Sequence, residues 1–187
     1  MFSIIIPTLN NLEYLKLCLR SLEKNSKFKH EIIIHVNEGS DGSLEYVNQN
    51  KLLHTHTIDN VGLCTAVNLA AAQATTEYII FSHDDMYYCP GWDEVLFNEI
   101  NKLNTKAFFL SGTMIEKNSG HLQLDCGNDY KDFDENKLLN NFKNLKHVNH
   151  QGTHWPPSCV HRTYWKKIGG LTNGGILKNQ LEQQQII

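Results

Sequence analysis

Tyr78-Ile79-Ile80-Phe81-Ser82-His83-Asp84-Asp85-Met86 sets an apolar run directly against a histidine and two adjacent carboxylates. Acidic residues are disfavoured inside strands, so the stretch predicts a strand that stops at Phe81 and presents oxygen ligands at its carboxyl end. An Asp-rich turn without a ligand has the same composition, and this stretch alone leaves both readings open. Downstream, Pro90-Gly91 turns the chain, and Trp92, Val95, Leu96, Ile100 and Leu103 recur at helical spacing. The acidic pair therefore belongs to a strand-loop-helix unit.

Working toward the N-terminus, an Ala-rich helix from Gly62 to Ala74 follows Asp59-Asn60-Val61 and leads into that strand. Ile32 to Val36 is a second β-branched run; it ends in the polar loop Asn37 to Ser43, and Leu44 to Leu53 reads as helix. Phe2 to Ile6 is a third, stopped by Pro7, and Leu12, Leu15, Leu19 and Leu22 then recur at helical spacing behind Asn10-Asn11, either of which can cap the helix. The repeated strand-loop-helix order predicts an α/β protein with a Rossmann-like, mainly parallel sheet flanked by helices. Ligands of such sheets bind outside the carboxyl ends of the strands, where the loops at 7–11, 37–41 and 83–86 converge.

Four of these segments, in this order, resemble the motifs of family 2 glycosyltransferases, which have the GT-A fold. Ser3-Ile4-Ile5-Ile6-Pro7-Thr8-Leu9-Asn10 is similar to the family's opening strand, and Asn37-Glu38-Gly39-Ser40-Asp41-Gly42-Ser43 to its Asp-Asp-Gly-Ser-x-Asp-Gly loop. Asn60-x-Gly62 with Asn68 resembles its Asn-x-Gly helix entry, and His83-Asp84-Asp85 falls where its Asp-x-Asp metal motif falls. Further on, Cys159 to Leu171 resembles the segment that ends in Gly-Gly-Phe-Asp.

The resemblance implies roles. Pro7, Thr8 and Asn10, with Asn37 and Glu38, would hold the base and ribose of a nucleotide-diphosphate sugar, and Asn60, Gly62, Asn68, His83 and Asp84 would complete the donor site. Asn37 and Glu38 stand in place of two aspartates; a glutamate still accepts hydrogen bonds from an imide or a ribose, with a different reach. Asn37, Ser40 and Asp41 are also good cap and Asx-turn formers. Asp85 matches the metal-binding aspartate of the family, with His83 and His154 as further candidate ligands. Oxygen ligands suit Mg²⁺ or Mn²⁺, and an added imidazole favours Mn²⁺ of the two.

The second half is less regular. Phe108-Phe109-Leu110 and Met114-Ile115 read as strand, Asp125 to Asn144 is polar and turn-rich, and Leu138 to Leu145 has a helical stretch. This is the expected acceptor side, where Trp155, Tyr164 and Trp165 could stack on a sugar; for Trp165, in an amphipathic helix, core packing is the simpler reading. The acceptor itself, whether glycan, lipid-linked or protein, is not legible. After Gly170 the chain departs from the family's pattern: no aspartate follows Asp134, and Glu182, in a Gln-rich tail that reads as a solvated helix or frayed terminus, is the sole carboxylate beyond Gly170. A catalytic base must reach the acceptor hydroxyl, and the weak candidates are Glu182 and His154. The resemblance implies a metal-assisted, inverting transfer of the sugar to an acceptor hydroxyl, with a catalytically impaired nucleotide-sugar-binding remnant and a nucleotidyltransferase as the alternatives. The last usually has a Gly-rich basic loop near its first strand, and Thr8-Leu9-Asn10-Asn11-Leu12 has neither glycine nor lysine.

Composition sets the outer bounds. With 187 residues, 41% of them hydrophobic, one globular domain with a sizeable core is expected, divided into a nucleotide-sugar half (about 1–105), an acceptor half (about 106–172) and a polar tail (173–187). A net charge of -3 argues against nucleic acid as partner. Five cysteines without a paired motif predict free thiols and a cytoplasmic setting. No run is long enough for a leader or a transmembrane segment, so any membrane contact would be peripheral.

Overall fold

A computed structural model of the chain describes residues 1–118, 120–146, 156–172 and 184–186. The first half alternates as expected: β1 (Phe2–Leu9), α1 (Leu12–Asn25), β2 (Glu31–Asn37), α2 (Ser43–Gln49), β3 (His54–Thr57), α3 (Leu63–Ala71), β4 (Tyr78–Phe81) and α4 (Trp92–Lys102). Then come β5 (Phe109–Ser111), the short β6 (Ile115–Glu116) and β7 (Leu122–Gln123), which pair with each other, α5 (Glu135–Asn141) with a following 3₁₀ turn (Phe142–Asn144), β8 (Ser158–His161), α6 (Arg162–Ile168) and β9 (Gln184–Ile186). Among these residues the main sheet has seven strands in the order β3-β2-β1-β4-β8-β5-β9. All its strands run parallel except β8, which is antiparallel to both β4 and β5.

Alternation along β1 divides the core. Phe2, Ile4 and Ile6 pack on one face with Leu15, Cys18 and Leu22 of α1, Val47 of α2 and Leu96 and Ile100 of α4. Ile5 and Ile33 pack on the other with Val67, Ala70 and Ala71 of α3 and Trp165 and Ile168 of α6. Helices thus cover both faces, as a parallel sheet requires. Trp165 is a core residue.

Four sequence expectations need correction. Pro7 does not stop β1, which runs on to Leu9 paired with Asn37. Alternation turns residues 5 and 7 toward β4, and β4 pairs no further than Phe81 with Ile5, so the hydrogen bond that proline cannot donate has no strand to receive it. The helix expected over Leu44 to Leu53 ends at Gln49, and the edge strand β3 follows. In the tail, Gln184–Ile186 pairs with β5 as a strand rather than continuing a helix. Neither Asn10 nor Asn11 caps α1 with its side chain; Asp41 accepts from Leu12 N at 2.7 Å instead.

Candidate functional site

β1, β2, β3 and β4 all end at one edge of the sheet, with Leu9 beside Asn37 and Asn37 beside Thr57 in register. The loops leaving that edge carry Asn10, Glu38, Asn60 and His83-Asp84-Asp85. Parallel pairing is what brings residues this distant in sequence together.

Asn10 and Glu38 meet directly. Both adopt positive φ, 49° and 58°, which turns each chain sharply out of its strand. Asn10 Nδ2 donates to Glu38 Oε2 at 2.9 Å, while its Oδ1 accepts from Ser40 N at 2.9 Å. Glu38 N donates to Thr57 O at 2.9 Å, and its carboxylate stays exposed to solvent. Asp41 binds the next turn to both neighbouring helices, accepting from Leu12 N and, at 3.0 Å, from Ser43 N. Burial opposes ionisation of Asp41, but the hydrogen bonds from Ser43 and Leu12 prevail and hold its carboxyl below the ordinary range.

Asn37, Asn60 and Asn68 have committed side chains. Buried Asn37 accepts from Val61 N at 3.0 Å and from Thr57 Oγ1 at 3.3 Å, anchoring the loop into α3. Asn60 Oδ1 accepts from Gly62 N at 2.8 Å in an Asx turn, and Gly62, at φ 78°, leads the chain into α3. Asn68 holds both backbone groups of Leu171: Nδ2 donates to its carbonyl at 2.8 Å and Oδ1 accepts from its N–H at 2.9 Å. It is a pin between α3 and the residues after α6, a role that a surface amide in the sequence gave no sign of.

Across the edge, Thr8 is 2% exposed; its buried Oγ1 makes no hydrogen bond of ordinary geometry, although it acts on the Asp84 carboxyl. Asp84 lies close by. Burial pushes its carboxyl above the ordinary value, against the opposing influence of the Thr8 and Asn11 side chains, and the Asp85 charge pushes the same way as burial. Asp85 is exposed, and its Oδ1 lies 3.9 Å from His83 Nδ1. The His83 ring rests edge-on against Phe81. Two adjacent carboxylates, the charge of each opposing the other's ionisation, form a site that added positive charge would relieve.

Among the described residues no three His, Cys, Asp or Glu side chains converge on one point. The donor set at Asp85 is therefore one carboxylate with one imidazole beside it. That set fits Mg²⁺ or Mn²⁺, ions that retain waters and bind through one or two carboxylates plus substrate phosphates. His154 and Glu182 lie outside the described residues, as do His150 and Trp155.

Beside Asp85 opens a groove of about 520 Å³, with apolar walls from Trp92, Leu96, Met114, Leu124, Phe133 and Pro157 among others. Thr8, Asn10, Asn37, Glu38 and Asp84 do not line it, so it reaches Asp85 alone of the two carboxylates. Among the described residues no helix is long and apolar enough to cross a membrane.

Among solved structures, the fold is similar to S. aureus TarS 1–349, with a TM-score of 0.70 and 17% identity over 100% of this chain and 57% of that one. The same protein in complex with UDP-GlcNAc gives 0.69 and 18% over 100% and 55%, and in complex with UDP 0.69 and 18% over 100% and 57%. The chain thus spans a little over half the length of these structures. No curated protein matches the sequence. The family model described as glycosyl transferase family 2 matches residues 3–158, and the chain belongs to that family.

Proposed function

We propose that the chain moves a sugar from a nucleotide-diphosphate sugar to an acceptor hydroxyl, with inversion at the anomeric carbon and with Mn²⁺ or Mg²⁺ held at Asp85. The observation that carries this reading is the convergence, at one sheet edge, of the Asn10–Glu38 pair with His83, Asp84 and Asp85 at the end of β4, the buried Thr8 hydroxyl acting on Asp84. Glu38 would accept from the imide of a uracil-like base or from the ribose, with Asn10 fixing its carboxylate. Asp84 would accept from the ribose hydroxyls, with Thr8 behind it. The two TarS complexes, with UDP-GlcNAc and UDP, favour a uridine donor. A divalent ion bound by Asp85 and His83 would neutralise the charge that builds on the leaving diphosphate. The groove beside Asp85 offers room for an acceptor, whether glycan, lipid-linked or protein.

The experiment is titration of UDP and a panel of UDP-sugars by calorimetry, with Mn²⁺ and with EDTA, for the wild type and Asp85→Asn. UDP should bind more tightly with Mn²⁺ in the wild type only, and unfolding temperatures without ligand should agree. Equal Mn²⁺-dependent tightening in the variant would remove Asp85 from the ion's coordination.

A second reading, donor binding without transfer, is favoured by the second half. Glu135, which is near the groove through Tyr87, is tied to Lys24 at 2.6 Å and to Tyr87 Oη at 2.7 Å, so it is poorly suited to act as a base. Release of UDP from UDP-sugars that no acceptor accelerates would support this reading over transfer.

A further inference from the structure

α1 carries three polar residues where apolar ones would pack the sheet. Cys18, Ser21 and Asn25 are all buried, and spacings of three and four residues place them on one face of the helix. Each is directed at residues 83–88. Cys18 Sγ donates to His83 O at 3.7 Å, Ser21 Oγ accepts from Tyr88 N at 3.0 Å, and Asn25 Nδ2 donates to Tyr88 O at 2.7 Å. Within the loop, Tyr88 Oη donates to Ser82 Oγ at 2.6 Å, and Ser82 Oγ donates to His83 O at 3.1 Å. Tyr88 and Ser82 are 4% and 0% exposed.

The His83 carbonyl thus receives two donors from beneath. In a trans peptide the C=O and the following N–H point in opposite directions, so this fixes the Asp84 N–H away from α1 and sets how Asp84 and Asp85 leave the strand. Apolar residues could have joined α1 to the sheet without buried hydrogen bonds. Polar ones select one geometry for the loop, which is the use of a fully satisfied buried network.

We infer that Ser82 and Tyr88 are positioning residues for the Asp84-Asp85 turn, holding Asp85 in the orientation that binds a divalent ion together with a nucleoside diphosphate. The inference rests on Asp85 acting as ligand, and the test separates the two claims.

UDP affinity is measured by calorimetry with Mn²⁺ and with EDTA for the wild type, Ser82→Ala and Tyr88→Phe, and for each substitution combined with Asp85→Asn. Unfolding temperatures are recorded without ligand. Outer-shell partners of metal ligands typically contribute on the order of 10- to 100-fold in metal affinity, so the gain in UDP affinity on adding Mn²⁺ should fall at least about tenfold in each single variant. Affinity in EDTA should be unchanged, and neither substitution should have a further effect once Asp85 is Asn. Tyr88→Phe keeps the ring and removes one oxygen, so it tests the claim even if Ser82→Ala does not fold. Wild-type Mn²⁺ gain in both variants, or equal loss with Mn²⁺ and EDTA, would overturn the positioning role and leave Asp85's own role standing. No Mn²⁺ gain in the wild type would overturn both.

Discussion

Replacing Asp93 by alanine should cost about 3–5 kcal/mol of stability, the loss expected when several buried donors are deprived of one shared acceptor. Asp93 is fully buried at the start of α4. Its Oδ2 accepts from Lys27 N and Phe28 N, each at 2.8 Å, and lies 3.0 Å from His30 Nε2; its Oδ1 accepts from Glu94 N at 3.0 Å. His30 Nδ1 accepts from Phe2 N at 3.3 Å, which makes Nε2 the protonated, donating nitrogen of a neutral ring. The ring also stacks on Phe2, with centroids 5.3 Å apart. Without the carboxylate, three backbone N–H groups and one imidazole N–H lose their acceptor, each worth about 1–3 kcal/mol where water cannot replace it. Lys27 is exposed, so water reaches part of the vacated space and the sum stays below the maximum. Against a total stability of about 5–15 kcal/mol the loss is large. Urea unfolding followed by tryptophan fluorescence measures it, since Trp92 lies 5.2 Å from the His30 ring. A loss below about 1 kcal/mol, with unchanged slope, would show that the bonds to Asp93 are not limiting in the turn after α1.

Acid should destabilise the protein early. Burial lowers the affinity of His30 and His35 for protons below the ordinary imidazole value of 6.5, His30 despite Asp93 and His35 despite Asn37 and with His56 adding to the effect. The unfolded chain therefore takes up protons first, so this part of the stability is complete above pH 6.5 and is lost as pH falls below it. Thermal unfolding across pH 5 to 8 reads it, and a midpoint that does not decline below neutrality would contradict it. Gly170→Ala should cost about 2–3 kcal/mol, because a Cβ there, at φ 81°, would stand 2.2 Å from Asn68 Oδ1 and disturb the bonds to Leu171. Gly169→Ala, at φ 78° with nothing within 4 Å, should cost only about 1 kcal/mol. Equal thermal shifts for the two alanines would refute the role given to Asn68.

The parallel half was legible because its strands are buried on both faces and therefore read as unbroken Ile and Val runs, as in Ile32-Ile33-Ile34. β3 was not legible. His54-Thr55-His56-Thr57 contains no aliphatic residue, as an edge strand permits, and only pairing to β2 makes it a strand. At the site, residue type located the carboxylates and Glu38 but did not distinguish ligands from braces. Asn37, Asn60 and Asn68 have the composition of a polar binding loop, yet Asn60 closes a local Asx turn, and the oxygens of Asn37 and Asn68 are bonded to backbone N–H groups that lie close only after folding. Asn11 beside Asp84 and the Cys18-Ser21-Asn25 stripe were missed for a related reason. Small polar residues inside a Leu-rich helical pattern leave no mark on its periodicity, although three of them recurring on the helix's buried face were a signal that could have been read.

The single reversed strand has a consequence for how such a chain can change. β5 ends at Ser111 and β8 begins at Ser158, paired with it, and Gly112 N donates to Pro157 O at 2.8 Å. Everything between residues 112 and 157 therefore departs from and returns to a single point on the sheet margin. A segment whose ends already touch can be lengthened, shortened or replaced at a small closure cost, since that cost grows only with the logarithm of loop length. The register of the seven strands would be untouched by such an exchange. Met114, Leu124, Phe133 and Pro157, which line the groove together with Asp85, all belong to this excursion, so those walls of the groove could be exchanged while β1, β2 and β4 remain as they are.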